Sequence, residues 1–254
     1  MFGVQLPNMR KLLLLLLLPF TSLANPIDDK CPQFTPYGAP VLELKSSVYL
    51  CKTNYAIQYD TGTKTAVYVL EHITKAAITG PAKRKDDFRP DPEIPVTGQS
   101  QLADYAGFPY DRGHLSPAGD NTQNDKIMSE SFFLSNMVPQ VPNNNRGIWK
   151  QLESNVRAYV RNFNDVYVVS GTIYDKGFTT IGLNKVGVPT RLFKVIVDTK
   201  TSKASAYIFP NQALPVADLE KFKVSIKEVE IATGINFNPK LPANATTLEI
   251  NKSW

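Results

Sequence analysis

The chain has 254 residues, a formal net charge of +5, and only two histidines and two cysteines. Two of each leave too few soft ligands for a His/Cys zinc centre, and no H-E-x-x-H is present to build one. The mildly basic balance permits a polyanionic partner without requiring one.

Near the N-terminus, MRKLLLLLLLPFTSLANP places Arg10 and Lys11 before seven leucines and a small-residue exit at Ser22-Leu23-Ala24. A basic start, a short apolar run and an A-x-A-like site predict a secretory signal peptide over residues 1–24, cleaved near Ala24. The run is far shorter than the roughly 20 residues a membrane-spanning helix needs. The expectation is therefore a secreted or periplasmic protein without a membrane span in the mature chain. Losing Arg10 and Lys11 lowers the formal charge from +5 to +3. Residues 25–254 fit a single domain, since no Gly/Ser linker or internal repeat divides them.

Cys31 and Cys51 stand twenty positions apart. In an exported protein the pair reads as a disulfide, worth roughly 3 kcal/mol in the chain-entropy model. Residues 48–59 and 65–73 are rich in β-branched and aromatic residues and predict a hairpin about Asp60-Thr-Gly-Thr63. PAKRKDDFRPDPEIP, with four prolines and four basic residues, predicts an irregular exposed loop in which Lys83 and Lys85 are solvated.

YDRGHLSPAGD, residues 110–120, then reads as a turn holding His114, with Gly113 letting the backbone bend. SFFLSNMVPQ, 131–140, predicts a buried strand. In the segment that follows, Trp149, Leu152, Val156, Tyr159, Val160 and Phe163 fall at helical spacing, with Asn143 to Asn145 as N-cap candidates. DVYVVSGTIY, RLFKVIVD and SKASAYIFP predict three strands, the first central because it is apolar almost throughout. Ser225-Ile-Lys-Glu228 is a capping-box pattern for a helix stopping at Gly234. The sum is an α+β fold with a mainly antiparallel central sheet and few helices.

Few mechanisms survive elimination. G-x-S-x-G, P-loop and G-x-G-x-x-G motifs are all absent. His72 lies in a strand and reads as a structural histidine, which leaves His114 as a lone imidazole base. On a continuous helix Asn145 and Glu153 would sit about 80° apart, flanking Trp149. A neutral carbonyl oxygen and a carboxylate suit Mg²⁺, which keeps several waters and takes few protein ligands. The alternatives stay open: Asn145 as a cap, and Glu153 with Arg157 as a helix ion pair.

Tyr110-Asp-Arg-Gly-His114-Leu-Ser-Pro-Ala resembles the DRGH signature of the DNA/RNA non-specific endonucleases, which have a ββα-metal core. Leu134-Ser-Asn-Met-Val-Pro-Gln140 is similar to the strand after the signature. Asn145-Arg-Gly-Ile-Trp149-Lys-Gln-Leu-Glu153, with Arg157, is similar to the metal helix. Arg84-Lys-Asp-Asp-Phe88-Arg-Pro-Asp91 resembles the arginine-bearing loop and Asp104-Tyr105 the dipeptide before the signature. The resemblance runs from about residue 55 to residue 240.

It implies hydrolysis of DNA and RNA to 5′-phosphorylated oligonucleotides. His114 would be the general base, Asn145 the ligand of a Mg²⁺ that Mn²⁺ can replace, and Glu153 a holder of the metal's waters. Arg84 would contact the phosphate, with Arg89 in the same loop as its rival. Arg112 would bind substrate or brace the turn, and Asp111 and Asn136 would support the site. An inhibitor protein is left open as a further partner. Two rival readings are a catalytically silent nucleic-acid-binding module and a phosphodiesterase for small substrates. Asn244 and Asn251 head glycosylation sequons.

Overall fold

The computed structural model describes residues 25–237 together with Leu248 and Ile250. The signal segment and both sequons lie outside the described residues. Eleven strands are described: β1 (Ser47–Cys51), β2 (Tyr55–Asp60), β3 (Thr65–Ile73), β4 (Asp111–His114), β5 (Met137–Gln140), β6 (Val166–Ile173), β7 (Thr180–Ile181), β8 (Val186–Gly187), β9 (Arg191–Asp198), β10 (Ala204–Pro210) and β11 (Lys223–Val224). Six α-helices accompany them: α1 (Pro26–Lys30), α2 (Lys75–Ile78), α3 (Leu102–Tyr105), α4 (Asp125–Glu130), α5 (Lys150–Asn162) and α6 (Ile226–Thr233).

Seven strands form one antiparallel sheet in the order β1-β2-β3-β6-β9-β10-β11. The apolar β6 is its central member, as its sequence predicts. One face packs against α5 through Trp149, Leu152, Val156, Tyr159 and Val160. Burying Leu152 or Val156 in this way contributes roughly 1.5–3 kcal/mol each. The other face is covered by residues of α1 and α6, among them Ile27 and Val229, with Phe34 and Phe237. The expected disulfide joins Cys31 to Cys51, with their Cα atoms 5.8 Å apart. In α6 the capping box is formed by Ser225 and Glu228, and Gly234 closes the helix at a left-handed φ of 71°.

Strands β3 and β6 pair directly, yet about ninety residues of chain separate them in sequence. That connection, 74–165, carries β4, β5 and α5, a ββα unit packed on one face of the sheet through Val138, Leu152 and Val156.

Several local expectations need correction. The run 48–59 is two strands, because a turn at Lys52–Asn54 breaks it and pairs Cys51 with Ala56. Of 131–140 only Met137–Gln140 is strand; Leu134–Asn136 forms a 3₁₀ turn whose buried Leu134 is held by tertiary packing rather than by a partner strand. No Asn side chain caps α5. The chain enters it through a wide π-type turn, Asn144–Trp149, in which Gly147 departs from helical geometry (φ −103°, ψ −108°). Phe163 ends the helix 48 % exposed and so does not continue its buried stripe.

Candidate active site

The hairpin β4–β5 places His114 opposite Met137 and Gly113 opposite Val138. His114 thus ends a strand and does not lie in a turn. Gly113 is required by close approach: a Cβ there would stand 2.1 Å from Gln140 Oε1 and 2.7 Å from Gln140 Cβ. The imidazole packs edge-on to Phe88 and Phe132, at ring-centroid distances of 5.8 and 5.1 Å. Its main-chain oxygen accepts a 3.3 Å hydrogen bond from the indole of Trp149, which docks α5 against the hairpin. Nε2 is buried and has no hydrogen-bond partner among the described residues. Burial, then the nearby Arg84 and Arg112 guanidinium groups, push its pKa down to about 3.

A cleft of about 570 Å³ opens in front of this ring. Arg84, Asp111, Arg112, Asn145, Glu153 and Arg157 all border it with His114, so the sequence candidates from four segments converge. Asn145 reaches it because the break at Gly147 displaces the wide turn from the line of α5, so the 80° helical-wheel placement does not apply. Its amide nitrogen donates to Asp111 Oδ2 at 2.8 Å, leaving Oδ1 as the atom presented for a ligand. Asp111 also takes a forked pair from Arg146 at 2.8 and 2.5 Å. Burial raises its pKa, but the hydrogen bonds from Arg146 and Asn145 outweigh that and hold it low, so Asp111 stays anionic and fixes the amide.

The two rival arginines part company. Arg84 borders the cleft, with its guanidinium carbon 5.1 Å from the Phe132 ring and Nε on Asp86. Arg89 turns away: Nη1 donates to Asp87 and to the Ser129 carbonyl, and its guanidinium lies 4.1 Å from the Phe133 ring. Lys85 pairs with Asp125. Arg112 lies 4.2 Å over Phe88, with Nε buried and without a partner among the described residues.

Under the cleft lies a group of buried charges. Arg157 pairs with Asp120 at 2.9 Å and, among the described residues, forms no ion pair with Glu153. Burial pushes Glu153 up to about 7, against the pull of Lys194 and Arg157. It pushes Glu71 up to about 8, helped by Asp120 and opposed by Lys194. Asn136 holds Ser116 by both its main-chain polar atoms. His72 sits apart, stacked on Tyr167 at 4.4 Å with Nε2 3.6 Å from Asp165.

Sequence reasoning missed Arg146, Asp120, Ser116, Glu71 and Lys194. For the last two a signal was visible: each is the one charge in the interior of a largely apolar strand, TAVYVLEHI and RLFKVIVD. Both fall on the side of the alternation that carries Val69, Ile73, Leu192 and Ile196.

The model of the DNA/RNA non-specific endonuclease family matches residues 36–244. The chain belongs to that family. It is 39 % identical to the human protein named Nuclease EXOG, mitochondrial, over 75 % of this chain and 57 % of that one. It is 34 % identical to human Endonuclease G, mitochondrial, over 85 % and 77 %. With Nuclease C1 of Cunninghamella echinulata var. echinulata it shares 36 % identity over 81 % and 91 %. The chain spans 57–64 % of the length of the EXOG relatives it matches. Among solved structures it is similar to the EndoG/EndoGI complex, which concerns EndoG inhibition, with a TM-score of 0.78 and 30 % identity over 87 % of this chain and 96 % of that one. The ββα unit with its antiparallel sheet is the family's metal-nuclease core. Among the described residues no helix is long and apolar enough to cross a membrane.

Proposed function

We propose that the chain is a divalent-cation-dependent endonuclease that hydrolyses DNA and RNA without sugar preference, leaving 5′-phosphorylated ends. The observation that supports this most is the pairing of an unpartnered imidazole nitrogen with an amide oxygen across one arginine-bordered cleft. The donor set fits a hard cation. Among the described residues no group of three His, Cys, Asp or Glu side chains is placed to cage a metal, and a neutral Asn oxygen with a nearby carboxylate suits an ion that keeps most of its waters. Asn145 would hold that ion and Glu153 would orient its water shell. Held there by Asn145, Mg²⁺, or Mn²⁺ in its place, would supply positive charge to stabilise the anionic phosphate.

His114 Nε2 accepts a proton from the attacking water as its oxygen bonds to phosphorus. The P–O3′ bond breaks and O3′ takes a proton from solvent. Arg84, with Arg112 beside it, bears the charge that gathers on the phosphate oxygens. The same guanidinium groups depress the basicity of His114 in the free chain. A bound phosphate offsets their charge, so the imidazole becomes the stronger base when substrate arrives. Contacts confined to the phosphates would read neither base sequence nor the 2′-hydroxyl, and so would give cleavage without base or sugar preference.

The purified mature chain is incubated with plasmid DNA and with RNA, with Mg²⁺ or with EDTA. Both polymers are expected to be cut only with the metal; binding without cleavage at every pH from about 6 to about 9 would instead identify a silent binding module. We further infer export through residues 1–24, since their leucine-rich run lacks the amphipathic, arginine-rich character of a mitochondrial presequence. Sequencing the N-terminus of protein recovered outside the cell is expected to find a start near Asn25. A full-length intracellular form would refute export.

A further inference from the structure

Glu71 lies in β3 on the face turned to α5, in line with the core residues Val69 and Ile73, and is 1 % exposed. An ionisable side chain in such a place is costly, and an apolar residue would pack better. Among the described residues its carboxylate takes one hydrogen bond, from Ser116 Oγ to Oε1 at 2.6 Å, and Oε2 has no partner. Ser116 is fully buried and two residues beyond His114. Every polar atom it owns is engaged. Its N–H donates to Asn136 Oδ1, its carbonyl accepts from Asn136 Nδ2, and its hydroxyl also accepts from Asn121 Nδ2, each at 2.8 Å. Leu115, between the two residues, donates its N–H to the Asn136 carbonyl at 3.1 Å.

The chain leaving His114 is therefore clamped from two sides. Asn136 binds it to the β5 side of the hairpin, and Glu71 binds it to the central sheet. The imidazole is walled by rings, and its Nε2 is unpartnered, so its position is set through the main chain. We propose that Glu71 is a positioning residue for His114, acting through the Ser116 hydroxyl to fix the general base against the central sheet. A catalytic group must be held to within about 0.5 Å of its working geometry, and a displacement of about 1 Å can cost on the order of a hundredfold in rate. The inference rests on the nuclease reading of His114.

Ser116→Ala, Glu71→Leu and Glu71→Gln are made in the full mature chain. Cleavage of DNA with Mg²⁺ is measured per folded molecule, and the ring resonances of the two histidines are recorded by NMR. Ser116→Ala and Glu71→Leu are expected to lower kcat about 10- to 100-fold with KM within about threefold. Glu71→Gln, which keeps the acceptor for Ser116, is expected to stay within about threefold of the parent. In Ser116→Ala the His114 ring signals should shift or broaden while those of His72 stay in place.

Three results would overturn the proposal: kcat within twofold in both Ser116→Ala and Glu71→Leu, a loss that vanishes after correction for folded fraction, or a Glu71→Gln variant as impaired as Glu71→Leu. Should the parent chain cut no nucleic acid, the nuclease reading fails, and the ring resonances alone decide. Unmoved His114 signals in Ser116→Ala and Glu71→Leu then refute the positioning link.

Discussion

The two faces of the central sheet are built from the same strands but bury different chemistry. On the face toward α1 and α6, Leu70, Phe193, Val195, Val197 and Ala206 make an apolar layer in which the buried strand polar groups are neutral, Gln58 among them. On the face toward α5, Glu71 and Lys194 interrupt the rows Val69–Ile73 and Leu192–Ile196. Lys194 Nζ donates to Ser170 at 2.5 Å and lies 4.6 Å from the Trp149 ring. Asp120, Glu153 and Arg157 extend this buried group toward the cleft. Desolvating a charge costs several kcal/mol, and its pairing seldom repays that as net stability. Both faces thus bury an apolar layer that holds the fold together, and the α5 face alone also bears the cost of buried charge beside a site.

If that division is right, substitutions on the two faces separate rate from stability. The largest effect is expected at His114. His114→Ala should lower cleavage by about 10²- to 10⁴-fold, the usual worth of a general base, while filter binding of DNA persists. Unchanged cleavage would detach the imidazole from the chemistry. Phe193 on the far face is the counterpart, since it is fully buried against Phe237 at 5.8 Å. Phe193→Ala should cost about 3–5 kcal/mol in denaturant unfolding and leave kcat per folded molecule intact. A fall in that kcat would mean the far face also sets the site.

The far face was the more legible in sequence. Alternation in TAVYVLEHI and RLFKVIVD assigns each residue to a side, and an apolar layer needs nothing more. The α5 face was legible where it is apolar and not where it is charged, because a lone Glu or Lys in a strand does not say what approaches it from another segment. His114, Asn145 and Glu153 could be grouped because a motif joined them. Ser116 could not, since its partners Glu71, Asn121 and Asn136 meet only through folding. The wide turn at Asn144–Trp149 was hidden for a related reason: the stripe Trp149, Leu152, Val156 fits a helix whether or not Gly147 breaks its start. Arg84 and Arg89 could not be separated by spacing at all. What divides them is that Phe133 and the Ser129 carbonyl capture one and leave the other at the cleft.

That division gives the next test. Arg84→Ala should reduce kcat about 10²- to 10³-fold, as loss of a charge-stabilising donor does, with little change in Tm. Arg89→Ala should do the reverse, lowering stability by about 0.5–1 kcal/mol through loss of its half-exposed contacts with Asp87, the Ser129 carbonyl and the Phe133 ring. If Arg89→Ala carries the larger loss of kcat per folded molecule, the loop rearranges when substrate binds and the two roles exchange.

The last test concerns the cost of the charged face itself. Burial, with Asp120 adding repulsion, places the Glu71 pKa at about 8 in the folded chain, above the ordinary value of 4.5. Below about pH 4.5 both folded and unfolded chains hold the proton, and the carboxyl costs little. Between 4.5 and 8 the folded chain keeps a proton that the unfolded chain releases, so stability falls as pH rises through this window, with the full loss reached above about 8. Glu71→Gln cannot titrate and keeps the Ser116 acceptor, so its Tm should match the parent near pH 4.5 and exceed it by a margin that widens up to about pH 8. Thermal melts of both proteins from pH 4.5 to 9 measure that margin. A margin that stays flat or reverses would mean that Lys194 keeps Glu71 ionised throughout, and that the two strand charges form a stabilising pair. The contrast between the faces would then be one of geometry rather than of cost.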